Sequence, residues 1–549
     1  MPPLGDVKAC QASESMARTV APRITPSSKT STRVFAEAKS AEEPFPLSPI
    51  RGHARSLGGF PPSSSSSSSS PFPTTSIPTT TESPLLPWRL KSSRQAARIS
   101  NPVRNIVDHL KPNPAHPLPC LNFALGDPTA YASQGHLLCP DALVDTVIRH
   151  AREGLHNGYT CSAGALDARQ ALARAFSYEG EGAKRLTADD VIIASGGSGA
   201  LEIAMAALLN EGDAVLIPRP GFALYRVIAQ SLGAVTLPYD LLPEKNWAID
   251  MVALEATIVE YNSSSRGIIK AILINNPSNP CGNIFSLPNL LALLDVARRY
   301  CLPIISDEIY GQVCFPGEAF HPLGTLTRDV PVLTIGGLAK QYAVPGWRVG
   351  WVLIQDPLGL LEVVEEGGKE EGNEGGGVSV RQGLKNLTQL ILGANTLAQS
   401  VIPTLFPSTP SHSLETFHAN YVHLLAENAR FVQEMLLPVV RKERGREGGP
   451  IVGVSLPNRP QGTLYMLLKV DARAFGDLDD DVAFCAALLQ EENLVLLPGQ
   501  CFGVPGYVRL VLTPPQPMLA EGLRRLRDFC GRHACAEGIP GGEGEGAVV

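Results

Sequence analysis

Lys340, Asp307, Tyr310, Asn279 and Arg509 each fall in or just after a short apolar run, where a chain with a buried sheet presents its chemistry. The run PVLTIGG (331–337) ends three residues before Lys340, and open α/β sheets hold their ligands beyond the carboxyl ends of their strands. A lysine there is either a solvated charge or an amine nucleophile, and the company at neighbouring strand ends bears on the choice. In PIISDEIY (303–310) an apolar run delivers Asp307 and, three residues on, Tyr310 to the same edge. A carboxylate so placed either caps a helix or pairs with a protonated ring nitrogen; in the second case the tyrosine hydroxyl reaches a phenolic oxygen on the adjacent ring edge. AILIN (271–275) runs into NPSNPCG (276–282), whose prolines and glycine force a tight turn that exposes Asn279. Its amide serves its own backbone or a cofactor oxygen.

The run SGGSGALEIAMAALL (195–209) is a glycine-rich turn that opens a helix. Gly197, Ser198 and Gly199 offer backbone N–H groups and a hydroxyl at a positive helix end, a geometry that binds phosphate. It lacks the lysine of a P-loop and the spacing of a dinucleotide fingerprint, so alone it specifies only an anion. Arg348, eight residues after Lys340, adds a two-pronged charge for the same phosphate. In RPGFALY (219–225) a Pro-Gly turn lifts Phe222 off the sheet, as a core aromatic or as a flat surface for a flat cofactor. Arg509 sits within GYVRLVLT (506–513), a strand pattern in which a guanidinium is seldom found unpaired; its fork suits a substrate carboxylate or a structural salt bridge.

The elements that must hold these residues follow from the pattern. VIIAS (191–195), AVLIP (214–218), AILIN, LPIISD (302–307) and PVLTIGG are apolar on both faces, as parallel strands covered by helices require, and helical spans such as 199–210 and 286–300 lie between them. The pattern predicts an α/β fold with a mostly parallel central sheet. Charged, glycine-rich insertions at 365–377 and 441–450 are expected to be surface loops, and no internal repeat is visible.

Residues 1–95 differ in texture, with eight consecutive serines at 63–70 followed by Pro- and Thr-rich sequence, and are expected to be disordered. Lys8, Arg18, Arg23, Lys29 and Arg33 suit an organelle transit peptide, whereas Asp6 and Glu14 do not, so the expected compartment is cytoplasmic, mitochondrial or plastid. A net charge of -7 and the absence of a basic patch argue against a nucleic-acid partner. Eleven cysteines, with no C-x-x-C pair and no histidine cluster, predict reduced thiols and no metal site. No apolar run reaches the ~20 residues that cross a bilayer, so a soluble protein is expected.

Eight segments in order give the chain a family resemblance: NPVRNIVD (101–108), FALGDPT (123–129), NGYTCSAG (157–164), IPRPGFALY, NNPSNPCG, SDEIYG, GGLAKQYAVPGWRVGW and YVRLVLT. Together they resemble the class I and II aminotransferases of the fold type I pyridoxal-phosphate superfamily, within them the tyrosine aminotransferase subgroup, from about residue 100 to about residue 530. That resemblance implies a large cofactor-binding domain at 151–385 and a smaller α+β domain from 96–150 and 386–535, with a disordered tail at 536–549. It implies pyridoxal 5'-phosphate held by Lys340, with Asp307 on its ring nitrogen, Tyr310 and Asn279 on its phenolic oxygen, and Phe222 stacked on the ring. Gly197, Ser198, Gly199 and Arg348 would take the phosphate. Tyr159 would reach the phosphate of a neighbouring subunit, implying a homodimer, while Arg509 and the backbone at Gly126 would hold the substrate α-carboxylate. The implied reaction moves the amino group of an aromatic amino acid, L-tyrosine foremost, to 2-oxoglutarate. Rival readings are an alanine or nicotianamine aminotransferase or a carbon–sulfur lyase on the same fold. A non-catalytic regulator is a further rival, although residues 1–95 show no helix-turn-helix pattern.

Overall fold

Aliphatic and β-branched runs bounded by glycine and proline become the strands of an eight-stranded sheet. The computed structural model describes residues 91–107, 112–131, 139–178, 185–264, 266–363, 377–408, 412–436 and 450–535. The expected transit segment, most of both insertions and the tail beyond 535 lie outside them. Of the segment expected to be disordered, residues 94 and 95 begin the helix Arg94–Arg98, which Ser93 caps by accepting from the Ala96 N–H.

After the two-residue strand β1 (Leu121–Asn122), the large sheet is built from eight strands. These are β2 (Val191–Ser195), β3 (Ala214–Arg219), β4 (Val235–Leu242), β5 (Ala248–Ile249), β6 (Ile269–Asn275), β7 (Ile304–Asp307), β8 (Val332–Gly337) and β9 (Val349–Gln355). Their spatial order is β2-β9-β8-β7-β6-β3-β4-β5. The central run β4-β3-β6-β7-β8 is parallel, and β9 runs antiparallel to both β8 and β2. The five predicted strands are therefore all present, in a mostly parallel sheet flanked by helices, as the fold-class expectation held. The helices Gly196–Ala206 and Leu287–Arg299 cover it, and the inner strands β6, β7 and β8 are apolar on both faces because each face meets such a cover.

A second, antiparallel sheet of order β10-β11-β14-β13 joins β10 (Val454–Ser455), β11 (Tyr465–Val470), β13 (Leu497–Pro498) and β14 (Tyr507–Val511). The strand β12 (Leu494–Val495) instead pairs in parallel with β1. The helices His412–Leu436 and Gln516–His533 bury Leu425, Val432, Leu519 and Phe529 against this smaller sheet. That cluster also contains Phe123 and Tyr310, so the smaller sheet packs directly beside the loop that follows β7.

Candidate active site

Register along the large sheet sets the floor of the site. Asn275 at the end of β6 lies opposite Asp307 at the end of β7, and β8 continues past Ile335 into the short helix Leu338–Gln341 that carries Lys340. A cavity of about 380 Å³ opens at this edge. Its wall contains Gly126, Gly197, Ser198, Phe222, Asn279, Asp307, Tyr310, Lys340, Arg348 and Arg509, ten of the twelve residues singled out in the sequence. Gly199 is not in the wall: it turns toward β2, where a Cβ would sit 3.6 Å from that of Ser195. Tyr159 is not there either; it is 91% exposed on the surface.

Asp307 is buried, and burial pushes its carboxyl up to about 6 against the hydrogen bonds it accepts from the Tyr225 hydroxyl at 2.6 Å and the Ile309 N–H at 3.2 Å. Among the described residues it has no cationic partner within ion-pair distance. Asn275 fixes the turn beside it, donating to the Asp307 carbonyl and accepting from the Asn279 N–H. Lys340 donates through Nζ to the carbonyl of Gly126.

The helix Gly196–Ala206 begins without a side-chain cap, unlike the helices capped by Asp250 and Asp480, so its first N–H groups face the cavity. Arg348 has a left-handed backbone, φ 55°, and sends its guanidinium to the Ser195 carbonyl at 3.2 Å. A Cβ at Gly196 would lie 2.5 Å from that guanidinium, and one at Gly350 would lie 2.3 Å from the Gly196 carbonyl carbon. Glycine at both positions lets strand, helix start and arginine close on a single point.

Arg509 is buried and has no carboxylate partner among the described residues. It donates to the Asn279 Oδ1 at 2.9 Å and the Ala124 carbonyl at 2.7 Å, while its Nε has no hydrogen-bond partner. Burial lowers its affinity for its proton, as expected of a desolvated cation. The rings of Tyr465 and Phe502 lie 4.1 and 4.8 Å from its central carbon.

Three members of this arrangement escape a sequence reading. Tyr225 lies three residues after Phe222 in the same motif, a spacing that returns one helical turn later to the same edge. Asn275 ends a strand whose apolar pattern drew attention away from its last residue. Tyr465 lies on β11, diagonal to Arg509 across the β11–β14 pair in which Leu467 is opposite Arg509, and only the pairing register reveals it.

A lysine at the carboxyl edge of a parallel sheet, a buried carboxylate lacking a cation, and an open glycine-rich helix start define a pyridoxal-phosphate enzyme of fold type I. Residues 119–526 match the family model described as aminotransferase class I and II, and the chain belongs to that family. It is 37% identical over 455 residues to the tyrosine aminotransferase of Homo sapiens, which spans 82% of this chain and 90% of that protein. With the tyrosine aminotransferase of Dictyostelium discoideum it shares 36% identity over 448 residues, 81% of this chain and 97% of that one. The crystal structure of tyrosine aminotransferase from Leishmania infantum superposes with a TM-score of 0.70 at 31% identity, covering 82% of this chain and all of that one.

The residues present fit pyridoxal 5'-phosphate. Asp307 is an acceptor that needs a buried cation, the helix start is an uncapped cradle beside a guanidinium, and Phe222 supplies an aromatic wall edge-on to Tyr225 at 5.7 Å. No helix among the described residues is long and apolar enough to cross a membrane.

Proposed function

We propose that this chain transfers the amino group of an aromatic L-amino acid, tyrosine foremost, to 2-oxoglutarate, giving 4-hydroxyphenylpyruvate and L-glutamate, and that it works as a homodimer. One observation carries the reading: a buried Arg509 with no carboxylate of its own shares a cavity with Lys340 and with a buried Asp307 that has no cation of its own. Each uncompensated charge calls for a partner of opposite sign: a cation for Asp307, which the cofactor's ring nitrogen would supply, and a carboxylate for Arg509, which the substrate would supply. The preference for an aromatic side chain is supported by the relatives at 36–37% identity and by the apolar Val103 and Leu125 in the cavity wall.

Pyridoxal 5'-phosphate, when bound, supplies an electron sink that makes the substrate Cα–H acidic. The chain's own residues do the rest. Arg509 binds the α-carboxylate through its fork, joined by the backbone at Gly126. Lys340 takes the proton from the substrate Cα at Nζ and later returns one. Asp307 would hold a proton at the ring nitrogen, Tyr310 and Asn279 would bond the phenolic oxygen, and Phe222 would stack on the ring. The N–H groups at Gly197 and Ser198 would hold the phosphate with Arg348.

A homodimer is supported by one surface. Leu155 and Tyr159 are exposed, as are Leu390, Ile391 and Leu392. The two segments are tied together by hydrogen bonds from the Thr388 hydroxyl to that of Ser162 at 2.9 Å and from the Thr396 hydroxyl to the His156 carbonyl at 2.5 Å. Contiguous exposed apolar residues of this kind mark an interface.

A substrate panel tests the activity. Tyrosine and phenylalanine should turn over only with 2-oxoglutarate present, at least about tenfold faster in kcat/KM than alanine, and Lys340→Ala should abolish turnover. Pyruvate release from cystathionine without an oxo acid, or turnover unchanged in Lys340→Ala, would overturn the reading.

A further inference from the structure

Tyr465 lies 125 residues from Lys340 in the sequence, yet its side chain meets three functional groups of the site. Its hydroxyl is 2.9 Å from that of Tyr310, and the two rings meet edge to face at 5.7 Å. Its ring lies 4.1 Å from the Arg509 guanidinium carbon, with Phe502 at 4.8 Å from the same carbon. Its hydroxyl also closes over Gly126, where a Cβ would come within 2.1 Å of it, and the Gly126 carbonyl accepts from Lys340. The space for a side chain at 126 is therefore taken by the Tyr465 hydroxyl.

The two tyrosines are not equivalent. Burial pushes the Tyr310 hydroxyl well up, so it keeps its proton. Burial also pushes the Tyr465 hydroxyl up, but the positive charges of Lys340 and Arg509 and the hydrogen bond with Tyr310 outweigh it, leaving it below its ordinary value. The two hydroxyls share one hydrogen bond, and Tyr465 is the one held between two cations.

We infer that Tyr465 is a positioning residue for the transamination proposed above: its ring is the shelf that keeps the Arg509 guanidinium facing the substrate carboxylate, and its hydroxyl is the hydrogen-bond partner that fixes the orientation of Tyr310. The inference rests on that reading of the site. The two halves belong to different atoms, so substitutions separate them. Tyr465→Phe keeps the shelf and removes the hydrogen-bond partner; Tyr465→Leu removes both.

The test uses the full chain with its cofactor. For Tyr465→Phe, kcat falls about tenfold, KM for tyrosine and for 2-oxoglutarate stays within about twofold, and the alkaline limb of the kcat pH profile moves, the pattern expected when an interaction that matters in the transition state is lost. For Tyr465→Leu, KM for both substrates also rises by at least about tenfold. A second readout needs no turnover. Binding of 3-phenylpropionate, an unreactive aromatic carboxylate, to the cofactor-free protein weakens about tenfold in Tyr465→Leu and is unchanged in Tyr465→Phe, and the ultraviolet tyrosinate titration loses its earliest-ionising phenol in both. Tyr465→Phe with wild-type kcat and pH profile would sink the hydroxyl half. Tyr465→Leu with wild-type affinity for 3-phenylpropionate would sink the ring half. Failure of the functional reading itself appears in the wild type, as absence of oxo-acid-dependent turnover, and leaves the carboxylate-binding measurement to judge the shelf.

Discussion

At Asp307 the cost of burying a carboxylate is left standing until something pairs with it. Its carboxyl is pushed up to about 6, first by loss of water and only partly relieved by Tyr225 and the Ile309 N–H. An acid whose folded value lies above its unfolded value contributes most to stability below the unfolded value and loses that contribution as pH rises through the folded one. In the cofactor-free protein the native state therefore loses on the order of 2–3 kcal/mol between about pH 4 and pH 7 on account of this one group. Asp307→Asn keeps the shape and still accepts from Tyr225, so it removes the loss. Urea unfolding of the two cofactor-free proteins should show Asp307→Asn gaining on wild type as pH rises through that window. With pyridoxal phosphate the order should reverse, because only the carboxylate pairs with a protonated ring nitrogen. A stability difference that stays flat with pH would show that Asp307 is already compensated. Asp307 was legible in the sequence because it ends an apolar run within a recognisable motif. Its partner Tyr225 was not, because nothing in RPGFALY reveals that a helix beginning at Leu224 returns that hydroxyl to the end of β7.

Among the elements, the start of the helix Gly196–Ala206 depends on what lies across the sheet from it. β9 pairs with β2 so that Gly350 stands opposite Ala194, and a Cβ there would come within 2.5 Å of the Gly197 nitrogen. Any side chain at 350 must push the helix start, and the N–H groups it presents, off the strand. A Cβ at Gly199 meets only ordinary contacts, at 3.6 and 3.8 Å from Ser195 and Ala194. Gly350→Ala should therefore weaken pyridoxal phosphate binding to the cofactor-free protein by at least about tenfold, and Gly199→Ala should leave it within about twofold, in a fluorescence titration. Equal affinities would mean that the helix start tolerates displacement and that the phosphate is held elsewhere. The strands themselves were legible because apolar residues on both faces have few alternatives to a covered parallel sheet. The close approach at Gly350 was not, because it depends on an antiparallel pairing between segments about 150 residues apart in the chain, and a glycine in a strand has the same letter whether it is crowded or free.

For the whole molecule, the exposed Tyr159 raises the question of what it serves. It is the one aromatic of the eight family segments that the fold turns fully outward, and it shares a surface with Leu155 and with Leu390, Ile391 and Leu392. Leaving this much apolar surface in water is unfavourable, and in the homodimer proposed above a second copy of the chain would cover it isologously, with Tyr159 at the partner's phosphate site. Ile391→Asp places a charge in that face, and sedimentation should show it shifting from dimer to monomer at micromolar concentration, with activity falling in parallel. Tyr159→Phe should remain dimeric and bind pyridoxal phosphate about tenfold more weakly, the expected effect of one lost charge-assisted hydrogen bond. Mixed dimers decide between action within a subunit and action across the interface. In a dimer of one Lys340→Ala chain and one Tyr159→Phe chain, tyrosine acting across the interface gives one site with both native residues and one with neither, hence half of wild-type activity at limiting cofactor. Tyrosine acting within its own subunit gives no site with both, and at limiting cofactor the mixed dimer then retains only the reduced occupancy of the Tyr159→Phe chain.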